Sequence, residues 1–348
     1  MSGTSRVAAV GIVMLAALAG CNGGGTSAGK TFRLNGSGSS FVNPIMTKWA
    51  DVYNRERGVE VNYQSAGSGQ GVQQMTNQTV RFGCTDAPMN DQQLAEARKA
   101  GGEVLHIPLV MGGVVPAYNV PGVTQTLKFT GQVLADIYTG KITKWNDPEL
   151  QKLNEGVSLP DRKILVVYRS EPSGTTYTWV QYLSKASKDW KLGVKTSVEW
   201  PVGEGAKGSE GMAGKLAKAE GTIGYVELLY ALQKNIKYGA VQNQEGNFVQ
   251  ANLESVTSAA NNSLTAIPDD LRYSLTNAPG KESYPICATT WAVLYAGQPK
   301  EEGPEVVKFL RWILHEGQEQ CGALKYARLS SGLVERADKK LDQVTFNQ

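Results

Sequence analysis

The chain has 348 residues, 41% of them hydrophobic and 19% charged, with a formal net charge of +3. That length exceeds what one hydrophobic core usually serves, so two packed lobes are expected. The small net charge and the absence of a Lys/Arg-rich tract exclude an electrostatic nucleic-acid binder.

The N-terminus reads as an export signal. Arg6 is the only charge in residues 1–20, and the apolar run 7–18 is too short to span a bilayer. Its end, Leu18-Ala19-Gly20-Cys21, resembles the lipobox of bacterial lipoproteins, which implies lipidation of Cys21. The plainer alternative is a cleaved signal with an incidental cysteine. Loss of Arg6 with the signal takes the charge from +3 to +2. Residues 21–29, rich in Gly and otherwise small or polar, then form an anchored flexible tether.

After the tether the chain repeats one pattern: strand, polar Gly/Ser turn, helix. Thr31 to Leu34 is a predicted strand running into Gly36–Phe41, with a helix from Pro44. Val59 to Tyr63 alternates as a strand into Ser65–Gly71, with a short helix over 72–77. Arg81 to Cys84 is a strand ending at Asp86, and Asn90 caps the next helix. Two extended apolar runs follow, 105–110 and 113–118. The middle of the chain adds a helix over 130–138, a buried strand over 164–168, and the turn Arg169–Thr176 leading into a helix. A glycine-rich loop at 203–211 precedes a helix over 212–218. An extended run at 286–295 and amphipathic helices after Pro304 and near Leu333 complete the chain. This grammar predicts an α/β protein of two lobes. Each lobe is a mainly parallel sheet flanked by helices, and two crossover segments join them. The predicted division is 30–112 with 281–348 for lobe I and 113–280 for lobe II. The crossovers are expected near 112–118 and 284–290.

Three Gly/Ser/Thr turns thus feed helix starts at the carboxyl ends of strands, where ligands of such sheets bind. Unpaired amides and the helix dipole favour an anion there. Arg169 adds a fork of donors suited to phosphate or carboxylate. The bland alternative is a capped helix whose arginine pairs with Glu171. Asp86 is the odd member of the group. A carboxylate beside anion-binding turns makes sense if the ligand carries a proton, as phosphate does and sulfate does not. The alternative is a turn-capping aspartate.

These motifs resemble the phosphate-binding protein of bacterial ABC phosphate importers, the PstS family. They are Gly36-x-Gly38-x-Ser40-Phe41, Ala66-Gly67-Ser68-Gly69-x-Gly71-Val72, Phe82-Gly83-x-x-Asp86-Ala87-Pro88, Ile142-x-x-Trp145-Asn146-Asp147, Arg169-x-x-x-Ser173-Gly174-Thr175 and Gly221-x-Ile223-Gly224-Tyr225-Val226. The resemblance covers nearly all of the mature chain. It implies lobes that close like a hinge on inorganic phosphate in the cleft. Ser40 and Phe41 would give a hydroxyl and an amide, and Ser68 would give both. Asp86 would accept the phosphate proton, Arg169 would give a charged contact, and Ser173, Gly174 and Thr175 would add donors. Two departures stand out: Glu171 where an aspartate is usual, and Pro172 where a glycine is usual. The resemblance further implies an exported, lipid-anchored monomer, periplasmic or on the cell surface. Its partners would be the importer's transmembrane subunits and their cytoplasmic ATPase, with no cofactor and no nucleic acid.

Other functions have less support. The chain has two histidines, His106 and His315, neither in a polar loop. No nucleophile elbow or metal-spaced Cys/His cluster occurs, so an enzyme is not expected. A binder of another oxyanion and a phosphatase-like lipoprotein are the remaining alternatives. Cys287–Cys321 is the favoured disulfide of an exported chain, leaving Cys84 a buried thiol.

Overall fold

The computed structural model describes residues 32–263 and 267–347. The signal segment, Cys21 and the tether lie outside the described residues.

The chain opens with β1 (Phe32–Gly38), α1 (Asn43–Arg57), β2 (Val59–Ser65), α2 (Ser68–Thr76), β3 (Phe82–Thr85), α3 (Asp91–Gly101) and β4 (Val104–Asn119). It continues through β5 (Lys128–Phe129), α4 (Gly131–Tyr138), α5 (Pro148–Leu153), β6 (Leu165–Arg169), α6 (Gly174–Ala186), β7 (Glu204–Ala206), α7 (Gly208–Lys218), β8 (Thr222–Glu227) and α8 (Leu228–Gln233). Then come β9 (Lys237–Tyr238), β10 (Ala240–Gln242), β11 (Phe248–Val249), α9 (Leu253–Ser263), β12 (Cys287–Tyr295), β13 (Gly297–Gln298), α10 (Gly303–Leu314), α11 (Ser331–Leu341) and β14 (Thr345–Phe346).

The main sheet runs β2-β1-β3-β12-β4-β8-β6-β7. Its two ends are parallel: β1 with β2 and β3, and β6 with β7 and β8. Its middle is antiparallel, because β12 and β4 return between the wings. The two extended apolar runs of the sequence are one strand, β4. It pairs with β12 as far as Gly113 and with β8 from Val114 onward. Two adjacent glycines suggest a break in the sequence, but pairing on both sides carries the strand through them.

Two helices begin earlier than their sequence suggests. α2 starts at Ser68 and α7 at Gly208, inside stretches that read as loops. Glycine lowers helix propensity, yet packing decides here: Ser68 and Ser209 are both buried. The expected disulfide is absent. Cys84, Cys287 and Cys321 are free and buried. The Cys287 thiol donates to the Tyr284 carbonyl at 3.2 Å and the Cys321 thiol lies 3.9 Å from Gln318 Oε1, so each has a local partner instead.

The core supports the strand ends that carry the polar turns. Trp49, Trp145 and Trp179 are fully buried. Trp179 stacks on Tyr225 with centroids 5.2 Å apart, and Tyr138 packs against both rings. Stacked aromatics of this kind add about 0.5–1.5 kcal/mol beyond area burial. The Tyr225 hydroxyl accepts the Arg169 backbone N–H at 3.1 Å and shares a 2.7 Å bond with Thr176 Oγ1. A rigid aromatic layer therefore fixes the end of β6 and the first turn of α6.

Candidate ligand-binding site

The turns after β1, β2, β3 and β6 meet at one place. Gly38 lets the first of them form: its φ is +136°, and a Cβ there would stand 2.1 Å from the Cys84 carbonyl oxygen. No side chain fits that approach. The turn then presents Ser39, Ser40 and Phe41, all buried.

Asp86, just past the end of β3, lies at the centre and is buried. Ser39 Oγ donates to both its oxygens, at 2.6 and 2.7 Å. Thr290 Oγ1 donates to Oδ1 at 2.6 Å, and Ser68 Oγ stands 3.4 Å from Oδ2. Burial pushes the Asp86 carboxyl up to about 6, while the Ser39 and Thr290 hydroxyls and the Arg169 charge pull it down. Desolvation thus outweighs the donors.

Across from Asp86 stands the start of α6. Ser173 is its N-cap, accepting the Thr176 N–H at 3.2 Å. Gly174 touches the opposite wall: a Cβ on it would lie 2.7 Å from Asp86 Cβ, Asp86 N and Ser68 Oγ. Arg169 is 2% exposed at its side chain. Its Nε donates to Glu171 Oε1 at 2.8 Å, its Nη2 makes a second bond to the same oxygen, and its Nη1 stands 3.3 Å from Thr175 Oγ1. The pairing of Arg169 with Glu171 is therefore real, and it coexists with a guanidinium placed at the site. Glu171 Oε1 also accepts the Gly208 N–H at 3.1 Å, while its Oε2 is buried without a partner. Pro172 contributes a carbonyl that accepts the Gly69 N–H at 3.1 Å, tying the α6 turn to the α2 turn.

All eight residues singled out in the sequence lie in or beside this cleft: Ser40, Phe41, Ser68, Asp86, Arg169, Ser173, Gly174 and Thr175. Ser40 differs from expectation in its partner. Its Oγ accepts the Ser209 N–H at 3.0 Å and lies 2.9 Å from Ser209 Oγ. Beside it, Glu210 Oε1 accepts from Asn43, Ser65 and Tyr230 at 3.1, 3.2 and 2.9 Å. Ser39, Thr290, Ser209 and Glu210 are contributors the sequence reading passed over. Ser209 and Glu210 lie in the stretch read as a glycine-rich loop.

The histidines stand apart from this cleft. His106 Nε2 accepts the Met89 N–H at 3.1 Å, and His315 pairs with Asp338 at 2.8 Å. Among the described residues no group of three or more His, Cys, Asp or Glu side chains could hold a metal ion.

Buried donors that converge between two α/β wings are the arrangement of a solute-binding protein of the PBP superfamily, and the PBP superfamily domain matches residues 23–316. The solved phosphate-binding protein from Stenotrophomonas maltophilia shares the fold, with a TM-score of 0.68 at 19% identity over 88% of this chain and 93% of that one. The phosphate-binding protein PstS of Pasteurella multocida is 42% identical over 310 residues, 87% of this chain and 88% of its own. That of Haemophilus influenzae is 40% identical over 86% of this chain and 90% of its own. The chain belongs to the PstS family of phosphate-binding proteins.

Proposed function

We propose that this protein binds inorganic phosphate outside the cytoplasm and delivers it to the transmembrane subunits of an ABC phosphate importer, which a cytoplasmic ATPase drives. It acts as a monomeric carrier and catalyses no reaction. The lobes are residues 30–112 with 281–348 and residues 113–280, and phosphate sits in the cleft between them. The observation that carries this reading is a buried carboxylate, Asp86, set among donors and facing the amino end of α6. Ser40, Ser68, Ser173 and Thr175 supply hydroxyls and Gly174 an amide, joined on binding by the Phe41 amide, which in the structure donates to Ser39 Oγ at 3.0 Å. Arg169 supplies charge, and Asp86 accepts the phosphate proton. Family membership and the 42% identical PstS relative support the same ligand.

The direct test is calorimetric titration of the phosphate-stripped mature protein. Phosphate should bind and sulfate should give no measurable heat. Equal binding of both anions would return Asp86 to a turn-capping role.

Gly174 offers a check on the cleft itself. Gly174→Ala places a methyl against the backbone of Asp86. Overpacking costs about 1–3 kcal/mol, so phosphate affinity should fall about tenfold to a hundredfold. Unchanged affinity would mean that α6 and Asp86 do not approach in the bound state.

Anchoring rests on the Leu18–Cys21 segment. No helix among the described residues is long and apolar enough to cross a membrane. Lipidated Cys21 holds the protein at the membrane, and Cys21→Ser should move it to the soluble extracytoplasmic fraction. Retention in membranes after a high-salt wash would rule out the lipid.

A further inference from the structure

Two hydroxyls on Asp86 have no place among the phosphate donors named above. Ser39 Oγ and Thr290 Oγ1 reach its carboxylate at 2.6–2.7 Å. Distances of that size are those of O–H donors on an ionised carboxylate. Ser39 Oγ also accepts the Phe41 N–H at 3.0 Å, which leaves its own hydrogen for Asp86. Thr290 arrives from a distant part of the chain. The register of β12 on β4 shifts between Thr290 and Trp291, and Trp291 pairs with Thr85 of β3. The irregularity leaves Leu109 of β4 unpaired, while the antiparallel register on β3 sets Thr290 opposite the residue that follows Thr85. Ser39, Thr290 and Asp86 are all buried.

We propose that Ser39 and Thr290 are positioning residues that hold Asp86 as a pure acceptor, and so set the site's preference for a protonated oxyanion over a fully ionised one. The inference rests on the phosphate reading and adds the groups that prepare the accepting carboxylate. Thr290 holds Oδ1, and the single Ser39 hydrogen is shared between Oδ1 and Oδ2. Oδ2 also has a long contact with Ser68 at 3.4 Å. Gly174 of the α6 turn lies against Ser68 and Asp86. With every neighbouring hydroxyl donating, the carboxylate is left to accept a phosphate O–H.

The two hydroxyls also resist the drift of a buried carboxyl toward its neutral form, since both lower a pKa that burial raises. Besides Arg169, the titratable groups that sense Asp86 are Tyr63, Cys84, Glu227 and Tyr326. Burial raises all four, which keeps them uncharged near neutral pH. Without its two donors, Asp86 takes up a proton, gains an O–H and can bond to a sulfate oxygen.

The test is phosphate titration together with displacement of bound phosphate by excess sulfate, which reads weak sulfate binding that gives no direct heat, for wild type, Thr290→Val, Thr290→Ser and the double variant Ser39→Ala/Thr290→Val. Bonds to charged groups of this kind carry weight enough that the phosphate-to-sulfate ratio should fall about tenfold in Thr290→Val and about a hundredfold in the double variant. Phosphate binding itself should survive, and Thr290→Ser should restore the wild-type ratio. Thr290→Val preserves shape and covers the case in which the double variant does not fold. A wild-type ratio in Thr290→Val overturns the proposal. So does an equal fall in Thr290→Ser, which would make packing the cause. Failure of wild type to bind phosphate removes the underlying reading and this inference with it.

Discussion

Arg169→Ala should weaken phosphate binding by about 2–5 kcal/mol, the range for truncating one partner of a desolvated charge pair. The side chain is 2% exposed, so solvent screens it little. Two effects add. The anion loses a charged, directional donor. Glu171 loses its partner as well, although its side chain is 13% exposed and one of its oxygens is already unpaired. A buried charge stripped of its partner is costly in itself. Arg169→Lys should recover little, because one ammonium cannot hold Glu171 through two nitrogens and still reach Thr175 Oγ1. Titration of Arg169→Ala beside Ser68→Ala is the check. A smaller loss for Arg169→Ala than for Ser68→Ala would take the guanidinium out of the site.

Asp86→Asn should change which anion binds. Phosphate keeps a proton at neutral pH and sulfate does not. A site built to bond that proton can reject an analogue lacking it by ~10⁴–10⁵, because a buried acceptor is left facing another lone pair. Asparagine can donate as well as accept, so the repulsion disappears. Phosphate should still bind and sulfate should begin to. Acid should imitate the substitution. The free carboxyl titrates near about 6, raised by burial. Above that value it is charged and repels sulfate; below it the neutral acid carries an O–H. Wild-type sulfate affinity should therefore rise as pH falls through about 6, while that of Asp86→Asn stays flat. A flat wild-type profile would separate Asp86 from selectivity.

The turns were legible in the sequence because their signals are local. A strand, a polar turn and a helix start lie within a dozen residues, and Arg169 and Asp86 each stand where the strand of such a unit ends. Thr290 was not legible for the opposite reason. It sits in β12, every residue of which is buried, and its partner Asp86 is 204 residues away. Nothing near a threonine in an apolar strand announces that it points at a carboxylate. Ser39 stood inside a quoted motif, but the neighbouring Ser40 drew the ligand role. Ser209 and Glu210 were hidden by glycines that suggest a loop where packing makes a helix. The cysteine pairing failed because counting thiols in an exported chain says nothing about the distance between them.

The strand β4 belongs to both wings of the sheet at once, and β12 beside it is drawn from near the end of the chain. That arrangement ties the order of assembly to the order of synthesis. The segments carrying Ser68 and Asp86 are synthesised early, but β3 lacks its β12 neighbour until about residue 295 has followed. Contacts so distant in sequence make for slow folding. Partly synthesised chains would hold the edges of β3 and β4 unpaired, and unpaired edges invite aggregation. The same sharing of strands makes the wings poor candidates for independent melting. Residues 32–348 should lose structure in a single cooperative transition rather than two.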